Sequence, residues 1–196
     1  MALRAATRTE LYELDRRAME EFGVPQERLM ESAARAVVGE IEKLPGNASV
    51  TVFVGKGNNG GDGHIVAKLL AGGERRVLEH SVENHGGFYL IMPGIVVDAI
   101  FGIGLSREVT GRWREAIEAI NASGQHVIAV DIPSGLDCDT GRPLGAAVRA
   151  NTTVTFGLAK IGFDVPGAAA YTGRVVIADI GYPPELLSPF EVGKGR

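Results

Sequence analysis

Three clusters of residues in this 196-residue chain have the types and spacing that chemistry requires. The first is Gly55-Lys-Gly-Asn-Asn-Gly-Gly-Asp-Gly63. Its five glycines permit positive φ and close backbone approach to a ligand, and the amides that open a following helix suit an anion. Asn58, Asn59 and Asp62 add polar side chains that a tight turn alone does not need. The pattern lacks the Gly-Lys-Ser/Thr ending of a nucleotide-hydrolase P-loop, and two asparagines and an aspartate crowd the phosphate region of a Gly-x-Gly-x-x-Gly dinucleotide loop. The second cluster, Asp98-Ala-Ile-Phe-Gly-Ile-Gly-Leu-Ser-Arg107, places a carboxylate just inside the end of an apolar run. Burying Asp98 uncompensated is costly, so it requires a cation or hydrogen-bond donors, and a carboxylate that caps loop amides meets the same need. Arg107 suits a bidentate phosphate contact and equally an ordinary surface position. The third, Asp131-Ile-Pro-Ser-Gly135, repeats the strand-end aspartate.

Two such carboxylates beside one cleft repel unless a proton or a metal ion intervenes. Asn59, Asp98 and Ser134 offer only oxygen ligands, which suits a hard cation rather than zinc or copper. His64, His80, His85 and His126 are scattered and read as surface or loop residues.

The elements that must hold these clusters follow from periodicity. Leu11, Leu14, Ala18 and Phe22 after Thr9, then Leu29, Ala33, Val37, Ile41 and Leu44 after Pro25, predict two amphipathic helices, the first stopped by Gly23. The run 49–54 predicts a strand buried on both faces, followed by the glycine loop and a helix over 64–70. Strands at 95–101 and 126–131, a helix through Trp113, Ala116, Ile117 and Ile120, and later strands at 152–156 and 174–179 repeat the alternation. The stretch 71–94 has room for one strand near 75–80 and little more. Strands alternating with helices predict right-handed crossovers and a mostly parallel sheet covered on both faces. Ligands bind beyond the carboxyl ends of such strands, which brings all three loops to one edge.

The length suits a single domain over 1–196. Twenty Lys+Arg against 24 Asp+Glu, net charge −4, argues against general nucleic-acid binding. The start carries Glu10 and Glu13 and no apolar run, and the stretch 86–97 is broken by Pro93, so neither a targeting signal nor a membrane span is expected. One cysteine, Cys138, permits no internal disulfide and points to a cytoplasmic location. Glycine is the anomaly: 27 residues, about twice the usual ~7%, expected mostly in ligand-facing loops, with those at 72, 73, 86 and 87 unaccounted for.

The motifs Val54–Gly63, Val97–Arg107, Val130-Asp-Ile-Pro-Ser-Gly-Leu-Asp137 and Thr155-Phe-Gly-Leu-Ala-Lys-Ile-Gly162, with Leu29-Met-Glu-Ser-Ala-Ala34, resemble the NAD(P)HX epimerase family, the YjeF N-terminal domain family that includes apolipoprotein A-I-binding protein. The resemblance implies an α/β, Rossmann-like fold, three-layer α/β/α, with a mostly parallel central sheet and two N-terminal helices. It implies a repair isomerase that interconverts the R and S epimers of hydrated NADH or NADPH, so that a dehydratase domain or partner enzyme can restore the S form. By position, Asn58, Asn59, Gly60, Gly61 and Asp62, then Gly102, Ile103, Gly104, Leu105, Ser106, Arg107 and Glu108, would hold substrate. Asp131 would contact it, and Asn59, Asp98 and Ser134 would help bind potassium.

The reaction needs a group that moves a proton at or near the hydrated carbon. Asp131 is the first candidate, because its loop also carries a cation ligand and a buried carboxylate can act as base; Lys160 is the second. The family also implies a homodimer formed through the N-terminal helices. The chain departs from the family in its short 71–94 segment, in Ser32 where Asn is typical and in Lys56 where Pro is common. A stand-alone epimerase and the N-terminal half of a bifunctional enzyme both fit the sequence, and a non-catalytic nucleotide- or protein-binding scaffold of the same fold is the alternative.

Overall fold

A computed structural model describes residues 2–84 and 87–193; Met1, His85, Gly86 and the terminal 194–196 lie outside the described residues. In chain order the main elements are β1 (Ala2–Leu3), α1 (Arg8–Glu20), α2 (Gln26–Glu42), β2 (Ser49–Val54), α3 (Asn58–Ala71), β3 (Val77–Ser81), β4 (Gly94–Ala99), α4 (Gly111–Ala122), β5 (His126–Val130), β6 (Thr152–Phe156), β7 (Arg174–Ala178) and β8 (Glu191–Val192). Six strands form one sheet in the order β3-β2-β4-β5-β6-β7, and every pairing in it is parallel. The two shortest, β1 and β8, pair antiparallel and tie the chain ends together.

Alternation along the strands decides which face each residue serves. Val50, Val52, Val54, Val97 and Val130 pack with α1, α2 and α3, whereas Phe53, Val96, Val127 and Ala129 pack with Ala116, Ile117 and Ile120 of α4. Both faces are covered, as a parallel sheet of β-branched runs requires. In the short segment after α3, no further helix of ordinary length forms among the described residues. Tyr89 instead lies over the sheet beside Phe53 and His80, their ring centroids 5.2–5.6 Å apart. His80 is therefore a buried strand residue, not the surface or loop residue expected from its sequence.

Local signals also explain the boundaries. Helix α1 is capped by Thr7: its side chain accepts from the Glu10 N–H, and the Glu10 carboxylate accepts from the Thr7 N–H. Phe22 lies beyond the helix and is exposed. Helix α3 begins at Asn58, six residues before the expected start, so most of the presumed glycine loop is helical. Only Gly57 of its five glycines has positive φ, +84°, where it opens the helix. Gly55 and Gly60 are required for closeness: a Cβ on Gly60 would lie 2.0 Å from the Gly55 carbonyl oxygen, and one on Gly55 2.0 Å from that of Ile100. Gly72 and Gly73 close α3, and Gly87 has positive φ, +99°.

Candidate active site

The strand order reverses direction at β2, which lies between β3 and β4, so the crevice beyond the carboxyl ends of β2 and β4 is the expected ligand position. A cleft of about 840 Å³ opens there. Asn58, Asn59 and Asp62 of the first two turns of α3, residues 102–107 after β4, Asp131 after β5 and Lys160 after β6 all line it. Helices α1 and α2 close the opposite wall with Tyr12, Asp15 and Met30.

Asp131 is held hard in place. It is the one non-glycine residue with positive φ among the described residues, +66°, a region Asp tolerates better than most side chains. Its backbone N–H donates to the Val154 carbonyl at 2.8 Å. Its Oδ1 accepts from the Phe156 N–H at 3.2 Å and from the Thr155 hydroxyl at 3.3 Å, and forms an ion pair with Lys160 Nζ. Lys160 is 1% exposed, so it is a core cation rather than a surface lysine. The N-terminal segment fixes its backbone: the Ala6 N–H donates to the Ala159 carbonyl, and the Ile161 N–H to that of Ala6.

Asp98 and Ser134 do not line the cleft; they lie behind its floor, both fully buried. Ser134 donates from Oγ to Asp98 Oδ1 at 2.5 Å and from its N–H to Oδ2 at 2.7 Å, and its Oγ accepts from the Phe101 N–H at 2.8 Å. The Ile100 N–H also donates to Asp98. Burial nevertheless pushes the Asp98 carboxyl up to about 6 against these hydrogen bonds. Asn59 joins them at the lip, its side chain within 4 Å of where a Cβ on Gly102 would stand. The three oxygen-bearing side chains thus approach the 100–102 segment that follows β4. Among the described residues no group of three or more His, Cys, Asp or Glu could hold a metal ion.

Gly60 and Gly61 pack behind the cleft, the latter against Met30, and Asn58 accepts a hydrogen bond from Gln26. Glu108 does not reach the main cleft and lines a smaller pocket of about 260 Å³ with Arg107 and Trp113. The exposed Arg107 borders both.

Sequence reasoning missed Asp15 and Tyr182. The Tyr182 hydroxyl donates to Asp15 Oδ1, and both line the cleft. Burial raises the Asp15 carboxyl, Tyr182 opposing and Asp131 reinforcing the rise, while burial and the Asp15 carboxyl raise the Tyr182 hydroxyl. Asp15 had one signal: a carboxylate beside Leu14 and four residues after Leu11, on the buried stripe of α1.

The family model described as "YjeF-related protein N-terminus" matches residues 26–87 and 79–162. A protein of Rhodopirellula baltica named NAD(P)H-hydrate epimerase is 38% identical over 92% of this chain and 85% of its own. Another of that name from Limosilactobacillus fermentum is 36% identical, over 91% and 98%. A bifunctional NAD(P)H-hydrate repair enzyme Nnr of Moorella thermoacetica is 36% identical over 93% of this chain, which spans 41% of that longer protein. In three dimensions a yeast protein, YNL200c, superposes with a TM-score of 0.72 over 97% of this chain and 94% of its own at 20% identity, which bears on the fold alone. With the motif-bearing loops gathered at one sheet edge and matched relatives spanning nearly its whole length, the chain belongs to the YjeF N-terminal family.

Proposed function

We propose that this chain is an NAD(P)H-hydrate epimerase, an isomerase acting on the R and S forms of NADH or NADPH hydrated on the nicotinamide ring. The observation that carries the reading is the pairing of Asp131 and Lys160 at the floor of a cleft large enough for a nucleotide. A carboxylate held in a left-handed backbone conformation beside a buried cation is costly, and such strain clusters where chemistry is done. That cost also favours an enzyme over a scaffold of the same fold.

In this reading the polar lip formed by Asn58, Asn59 and residues 102–107 receives the nucleotide, with the opening turn of α3 facing its phosphates. Asp131, kept in position by Phe156, Thr155 and Lys160, moves a proton at or near the hydrated carbon. Asn59, Asp98 and Ser134 would hold potassium. The all-oxygen donor set fits a hard cation, and among the described residues no cationic side chain pairs with Asp98. The bound ion would supply positive charge near the nucleotide. Association of two copies through the N-terminal helices is part of the proposal, supported by the exposed Tyr12 and Phe22, and light scattering tests it, a monomer being the contrary result. No helix among the described residues is long and apolar enough to cross a membrane.

The test is incubation with one purified epimer of hydrated NADH. Appearance of the other faster than the spontaneous rate supports the reading, and no acceleration overturns it.

A further inference from the structure

Three carboxyl groups, of Asp15, Asp62 and Asp131, line the cleft together with the Lys160 ammonium, while its other lysine, Lys56, is exposed and paired to Glu83. Asp15 accepts the Tyr182 hydroxyl, and Asp131 accepts from Lys160, Thr155 and the Phe156 amide. Asp62, in the first turns of α3, differs. The residue is 7% exposed and lines the cleft, yet its Oδ1 is closed off from solvent with no hydrogen-bond donor among the described residues. The charged and titratable groups around it are Asp131 and Asp15, which oppose its ionisation, with Tyr182 beside them and Lys160 paired to Asp131. An ionised Asp62 would leave negative charge buried, unpaired and next to two other carboxyls. A neutral carboxyl removes that cost and presents a proton to the cleft.

We propose that Asp62 is a catalytic acid in the cleft it shares with the Asp131–Lys160 pair, so that the site carries a proton donor and a proton acceptor at once. The assignment rests on the epimerase reading and deepens it. Burial first, then Asp131 and Asp15, push the Asp62 carboxyl up to about 8, so the proton is in place at neutral pH.

The chemistry of a hydrated enamine uses both groups. Water added to such a ring leaves the hydroxyl on the carbon beside nitrogen. Asp62 gives its proton to that oxygen, the C–O bond breaks with its electron pair leaving as water, and the nitrogen lone pair forms C=N. Water then adds to the opposite face and gives a proton to Asp131. Transfer of that proton back to Asp62 through the released water resets the site, with no net change but inversion.

Two measurements on the full chain test this. An infrared difference spectrum of wild type against Asp62→Asn at neutral pH should show a protonated-carboxyl band that Asp62 alone supplies. Asp62→Asn should also lower kcat by about 10²–10⁴-fold with KM little changed, and lose the alkaline limb of the kcat profile. An active wild type without the band, or Asp62→Asn with unchanged kcat, overturns the acid and leaves the epimerase reading standing. A wild type that shows the band but leaves interconversion at its spontaneous rate overturns the epimerase reading and the acid's role with it.

Discussion

Lys160 and Asp131, 29 residues apart in the chain, form an ion pair whose side chains are 2% and 15% exposed. Losing one member of such a pair leaves the other's charge buried, so the pair answers differently to substitution on each side. Asp131→Asn keeps a side chain that tolerates the +66° φ and removes the carboxylate. Epimerisation should fall by at least ~10²-fold while circular dichroism reports an intact fold. A fully active Asp131→Asn chain would remove Asp131 from the mechanism.

Lys160→Met strands the Asp131 carboxylate. Denaturant unfolding should show a loss of about 3–5 kcal/mol, and a change under ~1 kcal/mol would mean that water already answers that charge.

A proton held on Asp62, as proposed above, makes stability depend on pH. The unfolded chain releases it near ~4, the folded chain near about 8, so between these the folded state binds more protons. Stability contributed through this group therefore falls as pH rises across that window and levels off above it. Asp62→Asn lacks that slope, so its melting temperature should gain on wild type steadily from pH ~4 to ~8. Parallel curves for the two proteins would contradict the assignment.

Ser134 Oγ serves two buried partners, donating to Asp98 and accepting from the Phe101 N–H. Ser134→Ala leaves the Phe101 N–H without its acceptor and strips Asp98 of its hydroxyl donor, the Ser134 and Ile100 N–H groups remaining, and should cost roughly 1–3 kcal/mol in chemical unfolding, more than an ordinary surface Ser→Ala change.

Gly60→Ala places a methyl group 2.0 Å from the Gly55 carbonyl oxygen, a backbone atom that cannot swing aside. Helix α3 must shift from β2, with a loss of 1–3 kcal/mol or more and weaker protection by nicotinamide nucleotides in thermal melts. Gly72→Ala, where the nearest atom is 3.4 Å away, is the control expected near wild type.

Exchanging potassium for sodium should lower the melting temperature in the presence of nucleotide, because an ion bound only by the folded state stabilises it. Asp98→Asn should abolish the difference between the two salts, and a melting curve indifferent to the salt would count against the site.

Much of the site was legible along the chain because each motif follows its own strand. Asn58, Asn59, Asp62, residues 102–107 and Asp131 all face one cleft, as strand–loop–helix order in a parallel sheet requires. Legibility failed where a residue's neighbours are distant in sequence. Glu108 continues a cleft-lining motif but turns into the smaller pocket beside Trp113. Gly60 and Gly61 belong to the ligand motif and act by letting α3 approach Gly55 and Met30. His80 looked solitary until Tyr89 folded onto it.

What the sequence alone determined was periodic and local: the β-branched runs that become the five central and edge strands 49–54, 94–99, 126–130, 152–156 and 174–178, the helices between them, and the order that sends every motif to one edge. What only the tertiary structure decided was pairing and burial. Lys160 became the partner of Asp131 because parallel β5 and β6 bring their following loops together. Asp15 and Tyr182 joined the site because α1 and the segment after β7 close over it. The Asp62 carboxyl is raised by the loss of water and the approach of two carboxyls. Desolvation and charge proximity depend on distances between segments remote in the chain, and residue order alone does not contain those distances.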